Sequence, residues 1–187
     1  MLFKWVDYCE KYEKETEAWT GDADTRRFAT DDSIKQDHEY YLGISDDYDG
    51  HDYKLNETYF CKVVLDGNII AAVLFILRND EPPYQVTINP IIVNPEYRNK
   101  GYGTKIIGEL INDITEIIGY DCNVFHADSF RENGASIRTF EKNGFVLAGT
   151  YADGDFTYWV YPASELESCR KYYMDSLGDK FIVKNFT

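Results

Sequence analysis

Basic side chains are scarce in this sequence of 187 residues: 19 Lys and Arg stand against 33 Asp and Glu, a net charge of −14. That balance disfavours unassisted binding to nucleic-acid phosphates or to anionic lipid. Long apolar runs are missing too, since none approaches the roughly 18–20 residues that a membrane span needs. The opening residues 1–7 lack the basic lead and long apolar stretch of a signal peptide, so a cytoplasmic location is expected. The four cysteines (Cys9, Cys61, Cys122 and Cys169) are far apart and form no C-x-x-C pair, which argues against a disulfide framework. The three histidines (His38, His51 and His126) show no metal-ligand spacing, and no metal site is expected.

What is present suffices for a core. Hydrophobic residues make up 44% and aromatics 16%, and this length suggests one domain. Charge divides the chain unevenly: residues 1–57 hold 16 acids and 7 bases. This acidic third (1–57) reads as helical and loop-like, the core as 58–161, and 162–187 as a C-terminal helix and tail. Trp5, Tyr8, Cys9, Tyr12 and Trp19 among charges predict an amphipathic helix over 5–19. A second helix is expected over 31–42, capped by Asp31 or Asp32, and a polar loop over 45–56.

From Thr58 the pattern turns to strands. Residues 59–65 and 69–77 flank Asp66-Gly67-Asn68, a hairpin signal, and 85–93 resumes as a strand after the break at 79–83. Ile106, Ile107, Leu110, Ile111, Ile114, Ile117 and Ile118 recur at helical spacing within 104–118. A strand over 122–127, a helix over 133–142, paired strands over 145–151 and 156–161, a helix over 163–177 and a short run at 181–183 complete the reading. The expected class is α/β (α+β mixed sheet): one central mixed β-sheet flanked by helices, with N-terminal helices and a C-terminal helix.

Residues 91–105 carry the chemistry. A buried strand runs into a turn with Gly101 and Gly103, and the turn opens onto the strongest helix. Free N–H groups at a helix start make an anion site. Arg98, Lys100 and Lys105 against Glu96 give this segment a charge of +2, a basic lip in an acidic chain. A P-loop's G-x-x-x-x-G-K-S/T is absent, and a dinucleotide fingerprint would need a glycine where Ile106 stands.

Arg98-x-x-Gly101-x-Gly103 after Val93-Asn94-Pro95 resembles the Q/R-x-x-G-x-G/A acyl-CoA signature of the GNAT N-acetyltransferase superfamily. Asn133, Ser136, Phe140, Lys142, Gly144 and Phe145 resemble that family's second pattern, N-x-x-S/A-x-x-x-Y/F-x-K-x-G-F. The resemblance covers about residues 58–161. It implies a GNAT-like sheet and acetyl-CoA as co-substrate. Arg98, Asn99, Lys100, Gly101, Tyr102, Gly103 and Thr104 would hold the pyrophosphate, largely through main-chain amides. Ile91 and Val93 would offer main-chain bonds to the pantetheine arm, as an added strand does. Asn133 and Phe140 would complete the co-substrate site, and Asn133 would also serve as a helix cap.

The resemblance further implies direct attack of a neutral amine on the thioester. A strand N–H near Val93 would hold the developing oxyanion. The tyrosine that often protonates the departing thiolate in this family is replaced here by Phe140. A thiol with pKa near ~8.5 leaves without much help. Thr87 occupies the strand position where some relatives carry a glutamate base, so Asp128 and His126 are the candidates for proton acceptor, with Glu81 and Glu57 behind them. Asp46, Asp47, Asp49, Asp52 and Glu57, interleaved with Tyr48 and Tyr53, suit a cationic amine acceptor. The expected activity is acetyl transfer to a small, cationic primary amine. The alternatives are a protein N-terminus or lysine as acceptor, or a silent acyl-CoA-binding module. The aromatic tail around Tyr172, Tyr173 and Phe181 could cover a core edge or join two subunits in a homodimer.

Overall fold

The computed structural model describes residues 1–28, 34–41, 57–78, 84–151 and 153–183. Their strands form one eight-stranded sheet: β1 (Lys4–Asp7), β2 (Glu57–Asp66), β3 (Asn68–Arg78), β4 (Tyr84–Val93), β5 (Cys122–Phe130), β6 (Val146–Tyr151), β7 (Phe156–Tyr161) and β8 (Phe181–Ile182). The order is β1-β2-β3-β4-β5-β7-β6-β8, antiparallel throughout except for the central parallel pair β4–β5. The helices are α1 (Glu10–Thr20), α2 (Ala23–Phe28), α3 (Ile34–Tyr41), α4 (Tyr102–Ile118), α5 (Gly134–Lys142) and α6 (Leu166–Leu177). This is the mixed α/β arrangement expected from the sequence. The expected loops at 45–56 and 79–83, with Asp31, Asp32, Asp46, Asp47, Asp49, Asp52 and Glu81, lie outside the described residues.

Period-two alternation sorts the core onto two faces. Val73, Phe75 and Leu77 of β3 and Phe125 and Ala127 of β5 pack with Ile106, Ile107, Leu110 and Ile114 of α4. On the other face Ala72 and Leu74 meet Tyr12 and Trp19 of α1 and Ile34 of α3, while Val124 and Val160 meet Cys169 and Tyr173 of α6. β3 is buried on both sides along most of its length, which explains its near-continuous apolar run. Gly67, at φ 73°, stands alone between the paired Asp66 and Asn68 at the hairpin tip.

The acidic third departs from expectation in one respect. The helix predicted over 5–19 begins only at Glu10, and Lys4–Asp7 is an edge strand paired with residues 62–65 of β2. Tertiary pairing overrides the helical spacing, because Trp5 and Val6 split between the two faces as strand residues do. Its anchor is Glu109 on α4, only 7% exposed, whose carboxylate accepts from Leu2 N (2.7 Å), Phe3 N (3.0 Å) and Trp5 Nε1 (3.0 Å). The tail also docks: β8 pairs with β6, and a Cβ on Gly149 would lie 2.4 Å from Phe181 Cζ and 2.7 Å from Ile182 O.

Removing the Glu109 carboxylate leaves buried donors without an acceptor, a loss of about 2–3 kcal/mol. Glu109→Ala is therefore expected to lower the urea midpoint and to speed amide exchange at residues 2–7. An unchanged midpoint would show that the N-terminal strand is held by β pairing alone.

Candidate active site

The parallel pair that centres the sheet does not run together to its end. β4 and β5 pair from Tyr84–Cys122 to Ile88–Ala127, with one register shift between Tyr84 and Gln85, after which β4 continues to Val93 and β5 to Phe130. The divergence starts at a bulge: Phe75 pairs with Ile88 and Val73 with Ile91, so Leu74 opposes both Asn89 and Pro90. Pro90 has no N–H to give to a ladder. Between the diverging ends lies a cleft of about 740 Å³.

The β4 wall presents main chain. Asn94 N donates to Ile70 O at 2.9 Å, so Asn94 and Ile92 direct their backbone groups to β3. By antiparallel alternation Ile91 and Val93 direct theirs to the opposite side, into the cleft. At its upper end the chain turns through Asn99 (φ 59°) and Gly101 (φ 82°) into α4. The first bond within this helix runs from Lys105 N to Gly101 O, at 3.2 Å. The amides of Tyr102, Gly103 and Thr104 precede it and project from the helix end. Gly101 supplies no side-chain cap, and the amides border the cleft. A Cβ on Gly103 would meet Thr139 Oγ1 at 3.6 Å and Val93 Cγ2 at 3.7 Å, ordinary contacts, so the closeness of this turn leaves room for little more than a methyl. Uncapped amides with the helix dipole behind them suit an anion such as a diphosphate.

Of the expected co-substrate residues, Ile91, Val93, Arg98, Asn99, Gly101, Tyr102, Gly103, Thr104, Asn133 and Phe140 all border this cleft. Lys100 does not: its ammonium donates to Glu96 O at 2.8 Å and stands over the Tyr97 ring. The basic lip is also weaker than its formal charge. The Arg98 guanidinium donates to Asp22 Oδ2 (2.5 Å), Thr25 Oγ1 (2.5 Å) and Val93 O (3.1 Å), so Asp22 matches its charge. Asn133 caps α5, its Oδ1 accepting from Ser136 N at 3.1 Å. Phe140 is 2% exposed, packed against Phe145 and Trp159, with no hydroxyl to offer.

The two proton-acceptor candidates separate. Asp128 borders the cleft on β5, just past the end of the ladder to β4. Burial pushes its carboxyl up to about 6. His126, one pleat earlier, pairs with Thr87 and is 3% exposed beneath α6, with Cys169 Sγ 3.8 Å from its Nδ1 and the rings of Tyr172 and Tyr173 about it. It does not border the cleft, and burial with nearby Arg78 holds its imidazole down at about 4. The expectation for His126 is corrected accordingly: it is a neutral core residue. Glu57 is ion-paired with Arg78 at 3.3 Å.

The uncapped start of α4 thus stands at the glycines of the first sequence pattern, beside a parallel pair that splays. The acetyltransferase (GNAT) family matches residues 8–145. The chain belongs to that family. It is thereby an acyltransferase. No curated protein matches its sequence. Among solved structures, aminoglycoside acetyltransferase AAC(6')-Ib in complex with coenzyme A and kanamycin is 19% identical, with TM-score 0.64 over 90% of this chain and 99% of that one. Spermidine N-acetyltransferase from Vibrio cholerae in complex with CoA and spermine is 15% identical, with TM-score 0.62 over 89% and 98%. An acetyltransferase (GNAT family) from Bacillus anthracis is also 15% identical, with TM-score 0.61 over 86% and 94%. At these identities the likeness is one of fold.

Several cleft residues of this acetyltransferase carry no obvious signal in the sequence. Arg138 borders the cleft from α5, four residues before the Lys142 of the second pattern, which borders it too. Asp24, Thr25 and Phe28 come from α2, six residues without periodicity. Phe130 and Phe156 pair across β5 and β7 with ring centroids 4.3 Å apart, and Phe28 lies 6.3 Å from Phe130. Among the described residues no helix is long and apolar enough to cross a membrane, and no cluster of His, Cys, Asp and Glu could hold a metal.

The raised carboxyl of Asp128 has a stability consequence. An acid whose folded pKa lies above its unfolded value of about 3.9 destabilises the fold when ionised. The penalty is absent at pH values below 3.9 and complete above 6. Asp128→Asn is therefore expected to exceed wild type in unfolding free energy by about 3 kcal/mol at pH 8, the gap closing near pH 4. A gap independent of pH would show that the carboxyl titrates normally.

Proposed function

We propose that this acetyltransferase moves an acetyl group from acetyl-CoA to the primary amine of a small, cationic acceptor. The observation that carries the reading is the splay: it puts the main-chain edge of Ile91 and the Val93 N–H, an uncapped helix start and one carboxylate of raised pKa around a single cleft, the Val93 carbonyl being held by Arg98. The amides of residues 101–104 would hold the diphosphate. Ile91 and Val93 would bind the pantetheine amides as a third strand would, filling the gap that β5 leaves.

Acetyl-CoA supplies a thioester carbonyl that accepts the amine. An alkyl ammonium with pKa near ~10 must first lose a proton. Asp128, titrating at about 6, is ionised at neutral pH and can take that proton directly or through a water. The Val93 N–H, already directed into the cleft, would stabilise charge developing on the thioester oxygen. The departing thiolate needs no donor at the Phe140 position, because its own pKa lies near ~8.5.

The acceptor end of the cleft supports a cation. Asp24, Asp128 and Glu132 border it together with Phe28, Phe130 and Phe156. The Phe28 ring already carries a guanidinium, that of Arg27 at 4.9 Å, whose charge is paired with Glu132. With Glu132 matched by Arg27, it is Asp24 and Asp128 beside the half-buried rings of Phe130 and Phe156 that favour an ammonium group. The solved relatives named above, from their descriptions, act on spermidine and aminoglycosides.

Two experiments test the reading. Gly103→Glu sets a carboxylate against the cradle and is expected to abolish coenzyme A binding in calorimetry; retained affinity would remove the cradle from its role. Thiol release from acetyl-CoA with a panel of amines and peptides is expected to favour small polyamines over peptides. With the best amine, kcat should fall as pH drops through about 6, and Asp128→Asn should lower kcat about 10²-fold and erase that limb. An unaltered profile would exclude Asp128 as the proton acceptor.

A further inference from the structure

Arg98 occupies the Q/R position of the co-substrate signature, yet its three donor nitrogens are directed away from the cradle. Nε donates to Val93 O, the last carbonyl of β4, while Nη1 and Nη2 reach Asp22 and Thr25. Asp22 in turn accepts from Thr25 N at 2.9 Å and Thr25 Oγ1 at 3.2 Å, which caps the start of α2. Thr25 is 2% exposed although α2 is only six residues long. The far end of α2 touches the other wall of the splay: Phe28 packs on Phe130, and Arg27 pairs with Glu132. α2 thus bridges the mouth of the cleft from the β4–α4 turn to the β5–α5 turn, and it supplies Asp24, Thr25 and Phe28 to the lining. Its two attachments are unequal. The Arg98–Asp22 pair is 24% and 33% exposed and reinforced by Thr25, whereas Arg27 and Glu132 are 61% and 71% exposed. Exposed pairs hold little.

From this we infer that Arg98 is a positioning residue that hangs α2, and with it the amine side of the cleft, on the co-substrate loop, rather than a side-chain ligand of the co-substrate's phosphates. The inference rests on the proposed acetyl transfer for its kinetic consequence, though not for its structural one. The loop's amides remain free for the diphosphate whatever Arg98 does. Loss of the tether therefore weakens amine binding far more than coenzyme A binding. Because Arg98 and Asp22 act as one unit, their substitutions should not add.

The test compares wild type, Arg98→Met, Asp22→Asn, the double variant and Thr25→Val, the last keeping both charges in case Arg98→Met fails to fold. Trypsin cuts after Arg26 and Arg27, inside α2, so the nicking rate at these sites reads α2 docking without any turnover. Nicking is expected to rise at least tenfold in each single variant and no further in the double. Coenzyme A affinity by calorimetry is expected to stay within threefold of wild type, and amine KM to rise about tenfold with kcat little changed. Unchanged nicking, or a thirtyfold loss of coenzyme A affinity in Arg98→Met without a change in nicking, would overturn the inference and return Arg98 to the phosphates. Absence of coenzyme A binding by wild type would instead sink the proposed function while leaving the nicking result to decide the tether.

Discussion

The main-chain hydrogen bonds that β4 and β5 do not make determine the site. A central parallel pair ordinarily stays in register, since each unpaired buried amide or carbonyl costs free energy. Here the bulge at Asn89 and Pro90 shifts β4 by one residue against β3 and ends its ladder with β5 at Ile88–Ala127. The shift also preserves the face: Val86, Ile88, Ile91 and Val93 all pack toward α4 across the bulge. The strand thus remains part of the core while its polar edge faces a cleft. A ligand with amides of its own is a natural occupant of such an edge, and the start of α4 lies just beyond for the ligand's charged end.

Charge in this acidic chain is handled locally. The cations nearest the β4–α4 turn are already engaged: Arg98 by Asp22 and Thr25 from the α2 side, Lys100 by Glu96 O and the Tyr97 ring, Lys105 over the Tyr102 ring. The attraction for an anion therefore falls on main-chain amides, whose direction is set by the fold and does not change with salt or side-chain rotamer. Arg138 and Lys142 add positive charge from α5, across the cleft. A site built this way would hold a diphosphate by geometry first and by net charge second.

What could be read from the residues follows how local each feature is. The strand–turn–helix of 91–105 is contiguous, so its glycines, its uncapped helix start and the isoleucine stripe of α4 were all visible in order. The role of α2 was not, because six residues carry no period and its partners Arg98 and Glu132 lie 76 and 105 positions from Asp22 and Arg27. β1 was misread as helix for a related reason: four residues are too few to show alternation, and the bare edge of β2 decides. Formal charge misled at Arg98 and Lys100, since composition counts a cation as available whether or not a distant carboxylate or carbonyl holds it. His126 and Asp128 share a strand face, so the residues alone could not separate them. Only the end of the β4–β5 ladder and the position of α6 bury the first and open the second.

Asp22, set behind the cleft on Arg98, and Asp128, which borders it, show how a fold drives two carboxylates apart. Asp22 accepts from a guanidinium and from the start of α2, and Arg98 first, then the Thr25 amide, hold its carboxyl below the ordinary range. Its ionised form stabilises the fold, a contribution complete above an unfolded value of about 3.9 and lost as pH falls through the lower folded one. Asp128 is pushed the other way: among the described residues no cation pairs with it, Tyr158 opposite is itself pushed up to about 12 by burial and by Asp128, and burial dominates its own shift. A chain selected for stability alone would place an amide or an apolar side chain there. Environments that drive like groups apart mark a division of labour. The group that strains the fold at neutral pH is the one that, in the proposed reaction, would take the proton of the amine.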